Sequence, residues 1–196
     1  DGARRDRTAV APRLMPANSQ AASTQAAGED LAAYLARLRT EILSPTVRAG
    51  FDHWASLLAG RRFPRRREID PTAIARQLLH VTLIDVRPGN GSPFVARLAG
   101  EYVRKRQGIG VGTRIAEQVG ADQARERVVA RLTQCVKERR PVRGLYLYRP
   151  LDRPRTRVWV EAVACPLSDD GEVIDCIVTF GADHDFKPPP DAKEWP

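Results

Sequence analysis

The feature that most constrains the fold is a pair of strand–turn–strand patterns at opposite ends of one region. The first lies in residues 78–100, where polarity alternates on both sides of the turn-forming run Pro88-Gly-Asn-Gly-Ser-Pro93. Further strands are predicted at residues 145–148, 156–167 and 173–180. Because helical sequence separates the two groups, we expect an α+β fold. Its five-stranded antiparallel sheet would be closed by the first and last hairpins, with helices over a pocket on one face.

Helical periodicity predicts N-terminal helices ahead of the sheet and one long helix within the domain. Ser44-Pro45 supplies an N-cap and a proline at the first helical position, and Asp70-Pro71 repeats this signal for a short helix bearing Ile74. The long helix is predicted from Ala121 to Arg139. Its expected buried side consists of Val128, Val129, Leu132, Cys135 and Val136.

The first N-terminal helix carries an apolar stripe. The stripe consists of Leu31, Tyr34, Leu35, Leu38 and Ile42. Recurrence at three- and four-residue spacing places these side chains on one helix face. We take this face as the candidate surface for a dimer or a protein partner. Packing on the domain's own sheet would explain the same pattern.

Composition divides the chain into four parts. Residues 1–28 lack apolar periodicity and are rich in Ala, Ser, Gln and Arg, which predicts a flexible basic arm. Residues 29–49 form an N-terminal helical extension, residues 50–186 the main domain, and residues 187–196 a proline-rich tail. No apolar run approaches the roughly 20 residues that a membrane span needs. With three cysteines that form no CxxC pair, the expected compartment is a reducing cytoplasm.

Arginine dominates the charge, with 28 Arg against 4 Lys and a formal net charge of +8 at pH 7. Such a charge attracts anions, although arginine-rich codon usage also accounts for it. The densest cluster is a loop between predicted helices, with Arg61, Arg62, Arg65, Arg66 and Arg67. Guanidinium groups bind phosphates and carboxylates well, so this loop is the candidate site for an acidic partner. No motif for sequence-specific DNA reading accompanies it, and affinity for nucleic acid would be non-specific.

Several short motifs, in this order and spacing, resemble the PAS domain family, in particular the short bacterial proteins in which the PAS domain is nearly the whole chain. The motifs are His53-Trp54, Gly60-Arg-Arg-Phe-Pro64, Glu68-Ile-Asp-Pro71, Leu83-Ile-Asp-Val86, Arg97-Leu-Ala-Gly100 and Pro166-Leu167. The resemblance spans about residues 50–182. It implies a five-stranded antiparallel sheet with helices over one face, and a role in sensing or in protein contact.

The pocket candidates come from the last strands. A two-residue turn at Asp170-Gly171 would place Cys165 opposite Cys176, and would give Val163, Cys165, Leu167, Ile174, Cys176, Val178 and Phe180 one helix-covered face. Glu161 falls on this face, where it would meet an arginine from the helical layer, hold a ligand's polar group, or turn outwards at a bulge. The candidate pocket residues are Glu161, Trp159, Tyr146, Tyr148, Cys165, Cys176 and Phe180.

No cofactor or metal site is identified from the sequence. Haem-binding PAS domains of the oxygen-sensing type need a histidine on the long helix, but the histidines here are His53, His80 and His184. Flavin photosensors of the LOV type need a cysteine in the region of residues 102–120, which has none. Opposed Cys165 and Cys176 would suggest redox chemistry, yet two small buried hydrophobes fit better. No catalytic motif is present, so we expect a protein that is not an enzyme.

Two functions follow. The first is a stand-alone sensory or adaptor protein that binds a small ligand, a protein partner, or both, and relays a signal without an effector domain of its own. The second is a basic assembly subunit of a larger complex, which would use the arginine-rich arm and loop to hold an acidic protein or nucleic acid. The two differ in salt dependence, since only the second relies on exposed charge.

Overall fold

The structure is a computed structural model that describes residues 30–87, 93–118, 122–183 and 187–188. The predicted arm, the tip of the first hairpin, His184 and most of the tail lie outside the described residues. Two compact units are distinguished, Asp1–Tyr34 and Leu35–Pro196. In the first unit the described part, residues 30–34, opens the first helix, with Tyr34 buried and Leu31 half-buried.

The described elements follow the predicted order. The helices are α1 (Leu31–Glu41), α2 (Pro45–Ser56), α3 (Glu101–Gln107) and α4 (Asp122–Glu138), with 3-10 turns at Arg66–Glu68, Leu78–His80 and Ile115–Glu117. The strands are β1 (Val81–Val86), β2 (Phe94–Ala99), β3 (Val142–Tyr148), β4 (Val158–Leu167) and β5 (Cys176–Ala182). Helix α2 runs through position 49/50, where the sequence placed a domain boundary.

The five strands form one antiparallel sheet in the order β2-β1-β5-β4-β3. Strand β1 pairs with β5, so the first hairpin and the last three strands share one ladder. The predicted sheet is therefore confirmed. Because side chains alternate along each strand, the sheet has two faces that must both be covered.

Each face packs against different helices. On one face, α4 and the segment around α3 cover Ile84, Tyr146, Val160 and Ile177 in the main apolar core. On the other face, α2 packs on β4 and β5, and Trp54 Nε1 donates a hydrogen bond of 2.9 Å to the carbonyl of Pro166. The helices that follow β2 therefore lie on one face, and α2, which begins in the N-terminal extension and continues into the predicted domain, covers the other.

The connection between β4 and β5 corrects the predicted register. Cys165 pairs with Val178 and Leu167 pairs with Cys176, so the two cysteines do not face each other. The two-residue turn is replaced by residues 168–175, where Asp170 Oδ1 accepts hydrogen bonds from the backbone N–H groups of Glu172 and Val173. This local loop satisfies the backbone outside the ladder. Ile174 consequently joins the core beneath α4 instead of the face of Cys165.

Two smaller predictions are also corrected. Residues 71–77 form successive turns and a 3-10 helix follows at Leu78–His80, where a short α-helix was expected. In β2, alternation places Phe94, Ala96 and Leu98 on one face. Phe94 and Ala96 are buried, but Leu98 does not continue their face. The register shifts between Leu83 and Ile84, which makes Arg97 the extra residue of a bulge and leaves Leu98 exposed.

Candidate ligand-binding cavity

A small cavity lies in the core between the sheet and the helical layer of α3 and α4. Its volume of about 20 Å³ corresponds to roughly one or two water molecules. The wall is apolar where Ile84, Val103 and Val128 meet. The polar side chains on the wall are His80, Thr82, Gln107, Arg131, Tyr146 and Thr179. A cavity of this size cannot hold a flavin or a haem in the described conformation.

Arg131 is the cation of this cavity. It lies on α4 one turn after Val128 and one turn before Cys135, on the helix face that packs on the sheet. Its residue exposure is 3%, and its Cζ is 5.6 Å from the centroid of the Tyr146 ring. The nitrogens Nε and Nη1 are buried without a hydrogen-bond partner among the described residues. Apolar periodicity does not identify Arg131, because it selects only apolar side chains. The spacing of Arg131 from Val128 and Cys135 nevertheless places it on the same helix face.

The seven predicted pocket residues divide between the two faces. Tyr146 lines the cavity and Tyr148 belongs to the core on the same face. The odd-numbered residues of β4 and the even-numbered residues of β5 point the other way, towards α2. These are Trp159, Glu161, Cys165, Cys176 and Phe180. Their placement beside the pocket is corrected, because the face that they share is covered by α2 and not by the helices that enclose the cavity.

Glu161 is completely buried and binds the linker between α1 and α2. Its carboxylate accepts hydrogen bonds from Leu43 N at 3.0 Å and from Ser44 N at 2.6 Å. The guanidinium of Arg143, from the neighbouring strand β3, supplies the opposite charge. Of the three roles expected for Glu161, the structure shows the ion pair with an arginine. This partner comes from the sheet and not from the helical layer. The carboxylate therefore ties the middle of the sheet to the N-terminal helices.

A second buried ion pair holds α3 against the end of the sheet. Arg106 Nε donates to Asp183 Oδ2 at 3.0 Å, and the hydroxyl of Tyr148 donates to the same oxygen at 2.9 Å. Arg106 Nη1 also reaches Asp152 at 3.2 Å. Burial raises the pKa of Tyr148 to about 12, so its hydroxyl stays protonated as a donor at neutral pH. Because Gln107 follows Arg106 and lines the cavity, this network positions part of the cavity wall.

Burial makes the three cysteines chemically unreactive. Cys135, Cys165 and Cys176 are free and buried. Burial raises the pKa of each thiol, that of Cys176 to about 12. A protonated, inaccessible thiol is a poor nucleophile. Together with the corrected register, this removes the basis for redox pairing of Cys165 with Cys176.

The described histidines and acidic residues give no metal centre. His80 lines the cavity, and its ring lies 4.3 Å from the ring of Tyr102. Burial lowers the pKa of His53, which lies on α2 on the other side of the sheet. Within the described ranges, no group of three or more His, Cys, Asp or Glu side chains could hold a metal ion. None of the described helices is long and apolar enough to cross a bilayer.

The arginine-rich loop is partly used by the fold. Arg61 pairs with Glu68 at 3.0 Å, and Arg62 packs over the buried ring of Phe63. Arg62, Arg65 and Arg67 are exposed. Arg66 is half-buried beside a solvent-open cleft whose other lining residues are Asp85, Val86, Arg87, Arg97, Asp169, Asp175 and Cys176. The loop therefore presents cations to solvent, as an acidic partner would require.

Comparisons with known proteins place these features in context. The family model described as PAS domain matches residues 42–179. Among solved structures, a PAS domain from Colwellia psychrerythraea is similar at 9% identity and a TM-score of 0.42, over 59% of this chain and 98% of that one. A Vibrio cholera VqmA–ligand–DNA complex gives 15% identity and a TM-score of 0.42, over 59% of this chain and 51% of that one. The match thus spans about half of the VqmA chain. A LOV domain of a blue-light-activated histidine kinase from Erythrobacter litoralis gives 16% identity and a TM-score of 0.38, over 54% and 94% of the two chains. The search of curated proteins gave no match.

Proposed function

Because this chain belongs to the PAS domain family, we propose that it is a sensory or adaptor module that binds a small ligand in its core cavity and relays the signal through contacts with a protein partner. The observation that supports the proposal is the position of Glu161 on the sheet. Its carboxylate holds the α1–α2 linker, while the next residue, Ala162, lines the cavity on the opposite face. A ligand that moves the cavity wall therefore acts on the strand that anchors the N-terminal helices.

The relay requires two states that the ligand binds with different affinity. In the state described, Leu38 and Ile42 are 3% and 0% exposed, so these members of the apolar stripe are covered within the chain. They are not an open partner surface here, since packing within the chain already removes them from water. Leu35 is half-buried. We propose that release or movement of the linker changes how much of this stripe a partner can reach.

The contact between the Glu161 carboxylate and the α1–α2 linker, here called the anchor, is tested with Glu161→Gln. The amide places an NH₂ donor where the carboxylate faced the N–H groups of Leu43 and Ser44, and it leaves the half-buried Arg143 without its counterion. We expect the free energy of unfolding to fall by about 2–4 kcal/mol and the Leu43 and Ser44 amides to exchange hydrogen at least tenfold faster. Hydrogen exchange followed by mass spectrometry measures both local and global opening. Glu172→Gln, at a side chain that is 88% exposed, is the matched control. Unchanged exchange at the linker would contradict the anchor.

The relay is tested with a variant that occupies the cavity. Ala162→Val adds two methyl groups at the cavity wall and imitates a bound ligand, whereas Val160→Ile enlarges the same strand and face outside the lining. We expect only the first to alter hydrogen exchange of the linker amides of residues 43 and 44. The proposal fails if exchange at the linker is the same in both variants and in the original chain.

A second function, the basic assembly subunit, is favoured by the exposed arginines of the loop. Size-exclusion chromatography with light scattering, at low and high salt, separates the two. A self-associated or protein-bound species that persists at high salt supports the sensor, because buried apolar contacts are insensitive to screening. Co-elution with nucleic acid that disappears at high salt supports the assembly subunit. Arg62→Gln with Arg67→Gln should weaken only the salt-sensitive species.

A further inference from the structure

Arg131 is a buried cation with no ion pair among the described residues. Burying an unpaired charge is costly, so such a group in a native structure normally meets a counterion. Two of its three guanidinium nitrogens, Nε and Nη1, are buried without a hydrogen-bond partner in the part of the chain that the structure describes. The side chain is part of the cavity wall and not of the protein surface.

The aromatic contact of Arg131 does not replace a counterion. The Tyr146 ring faces Cζ at 5.6 Å and offers a cation–π interaction. That interaction involves the ring face, while the N–H donors of a guanidinium point outwards in its own plane. The ring contact therefore holds the guanidinium in position, while Nε and Nη1 keep their donors unused among the described residues. An acceptor in the cavity would complete the arrangement.

The cavity restricts the chemistry of that acceptor. Thr82, Thr179 and Gln107 add neutral polar groups, and the rest of the wall is mostly apolar. A multiply charged anion would lose more hydration than one guanidinium returns. The volume of about 20 Å³ limits the ligand to a few heavy atoms. A small singly charged carboxylate meets all three conditions, because its flat anionic head matches a guanidinium and its short chain matches the apolar wall.

Resting on the proposed ligand-binding role, we infer that the cavity binds a small monocarboxylate, and that Arg131 is the residue that recognises its charge. Ligands of three or four heavy atoms reach dissociation constants of about 0.04–0.5 mM at best. The affinity is therefore expected in the millimolar range, which suits a metabolite present at high concentration.

The test uses the full chain with formate and acetate as probes. Formamide and acetamide are neutral controls of matched size, and sodium chloride keeps the ionic strength constant. We expect saturable one-to-one binding of formate or acetate by isothermal titration calorimetry, with a rise in the melting temperature, and no binding of either amide. Equal binding of the amides would overturn the charge recognition. Equal stabilisation by chloride alone would overturn the assignment to carboxylates.

Arg131→Gln should reduce carboxylate affinity at least thirtyfold. Lys137→Gln removes the same charge from an exposed position on the same helix and should leave affinity unchanged. Without ligand, we expect Arg131→Gln to melt no lower than the original chain, since it removes an unpaired buried charge. If Arg131→Gln does not fold, Ala162→Val provides the second variant, and its filled cavity should abolish carboxylate binding. Carboxylate binding that is unchanged in Arg131→Gln or in Ala162→Val overturns the inference.

The two proposals fail in different ways. Carboxylate binding that requires Arg131 but leaves hydrogen exchange of the linker unchanged would retain this site and overturn the relay. A linker that responds to Ala162→Val in a protein that binds no carboxylate would retain the relay and overturn the ligand assignment.

Discussion

At the scale of single residues, helix α2 approaches β5 closely at Gly50. A Cβ atom added at Gly50 would lie 2.2 Å from Cδ1 and 2.3 Å from Cγ of Phe180, which is completely buried. These atoms are at the base of the ring and not at its flexible end. The absence of a side chain at position 50 is therefore what lets the helix reach the sheet.

Gly50→Ala should lower the free energy of unfolding by about 1–3 kcal/mol through overpacking. This loss is what remains after the gain of about 1 kcal/mol in helix propensity. Urea denaturation measures the difference. Adding Phe180→Leu should return part of the loss, so a double-mutant cycle should give a favourable coupling. A Gly50→Ala protein as stable as the original would show that the contact is looser than described.

Thiol reactivity gives a second prediction at this scale. The folded pKa of each cysteine is raised by burial, that of Cys176 to about 12, against about 8.5 for a free thiol. At pH 8 the folded protein should therefore react with a disulfide reagent about a thousandfold more slowly than the same chain in guanidinium. Diamide should cause no loss of free thiols in the folded protein. Rapid loss of two thiols would restore the redox hypothesis.

The residues that matter were only partly predictable. Alternation correctly placed Glu161 among buried positions, because it depends on local strand geometry. Its hydrogen-bond partners could not be predicted from the sequence, because Leu43 and Ser44 are more than 110 positions away along the chain. Arg131 was overlooked for a different reason. The periodicity that predicts a buried helix face counts only apolar side chains, so it does not include a charged residue on that face.

At the scale of elements, the β1–β2 hairpin depends on its bulge. Arg97, the extra residue, donates from Nε to Asp85 Oδ1 at 2.6 Å, and Arg87 reaches the other oxygen at 3.2 Å. Burial alone would raise the pKa of Asp85, but the hydrogen bonds and charges of the two arginines outweigh it and hold the pKa below its usual range. The bulge thus gives the hairpin a charge-dependent contact.

The lowered pKa of Asp85 determines how the free energy of unfolding depends on pH. A carboxylate whose folded pKa is depressed stabilises the fold above its unfolded pKa of about 3.9, and this contribution disappears as pH falls through the folded pKa. Asp85→Asn should therefore flatten the fall in unfolding free energy below pH 4, as measured by urea denaturation at several pH values. Glu126→Gln, on the exposed side of α4, should keep the original slope. Identical slopes for both variants would exclude Asp85 as a source of acid sensitivity.

Element order was predictable and strand register was not. The hydrophobic pattern and the N-cap at Ser44 place helices and strands within a few residues, because both are local signals. Register depends on how loops close. The eight-residue connection held by Asp170 and the bulge at Arg97 each changed which side chains share a face.

At the scale of the whole molecule, one sheet serves two apolar layers. Phe51 of α2 lies on one side and Leu132 of α4 on the other, and both are buried to 1% or less. Because the same strands complete both layers, neither layer should persist without the other. The predicted sheet is confirmed at this scale, whereas the division of helices between its faces follows from contacts that the sequence does not display.

Phe51→Ala and Leu132→Ala should each lower the free energy of unfolding by about 2–5 kcal/mol. Each should shift one cooperative transition. Far-ultraviolet circular dichroism and tryptophan fluorescence should then give coincident urea curves for both variants. Separate transitions for the two probes would indicate that the two layers unfold independently.

Strand β4 separates the hollow in the core from the N-terminal linker by the thickness of one backbone. Ala162 lines the cavity, and Glu161 accepts hydrogen bonds from the linker. Their Cα atoms are only about 3.8 Å apart across a planar, inflexible amide. If the proposed relay operates, a ligand that displaces Ala162 would therefore move Glu161 through that one amide, with no further residue between the cavity and the linker.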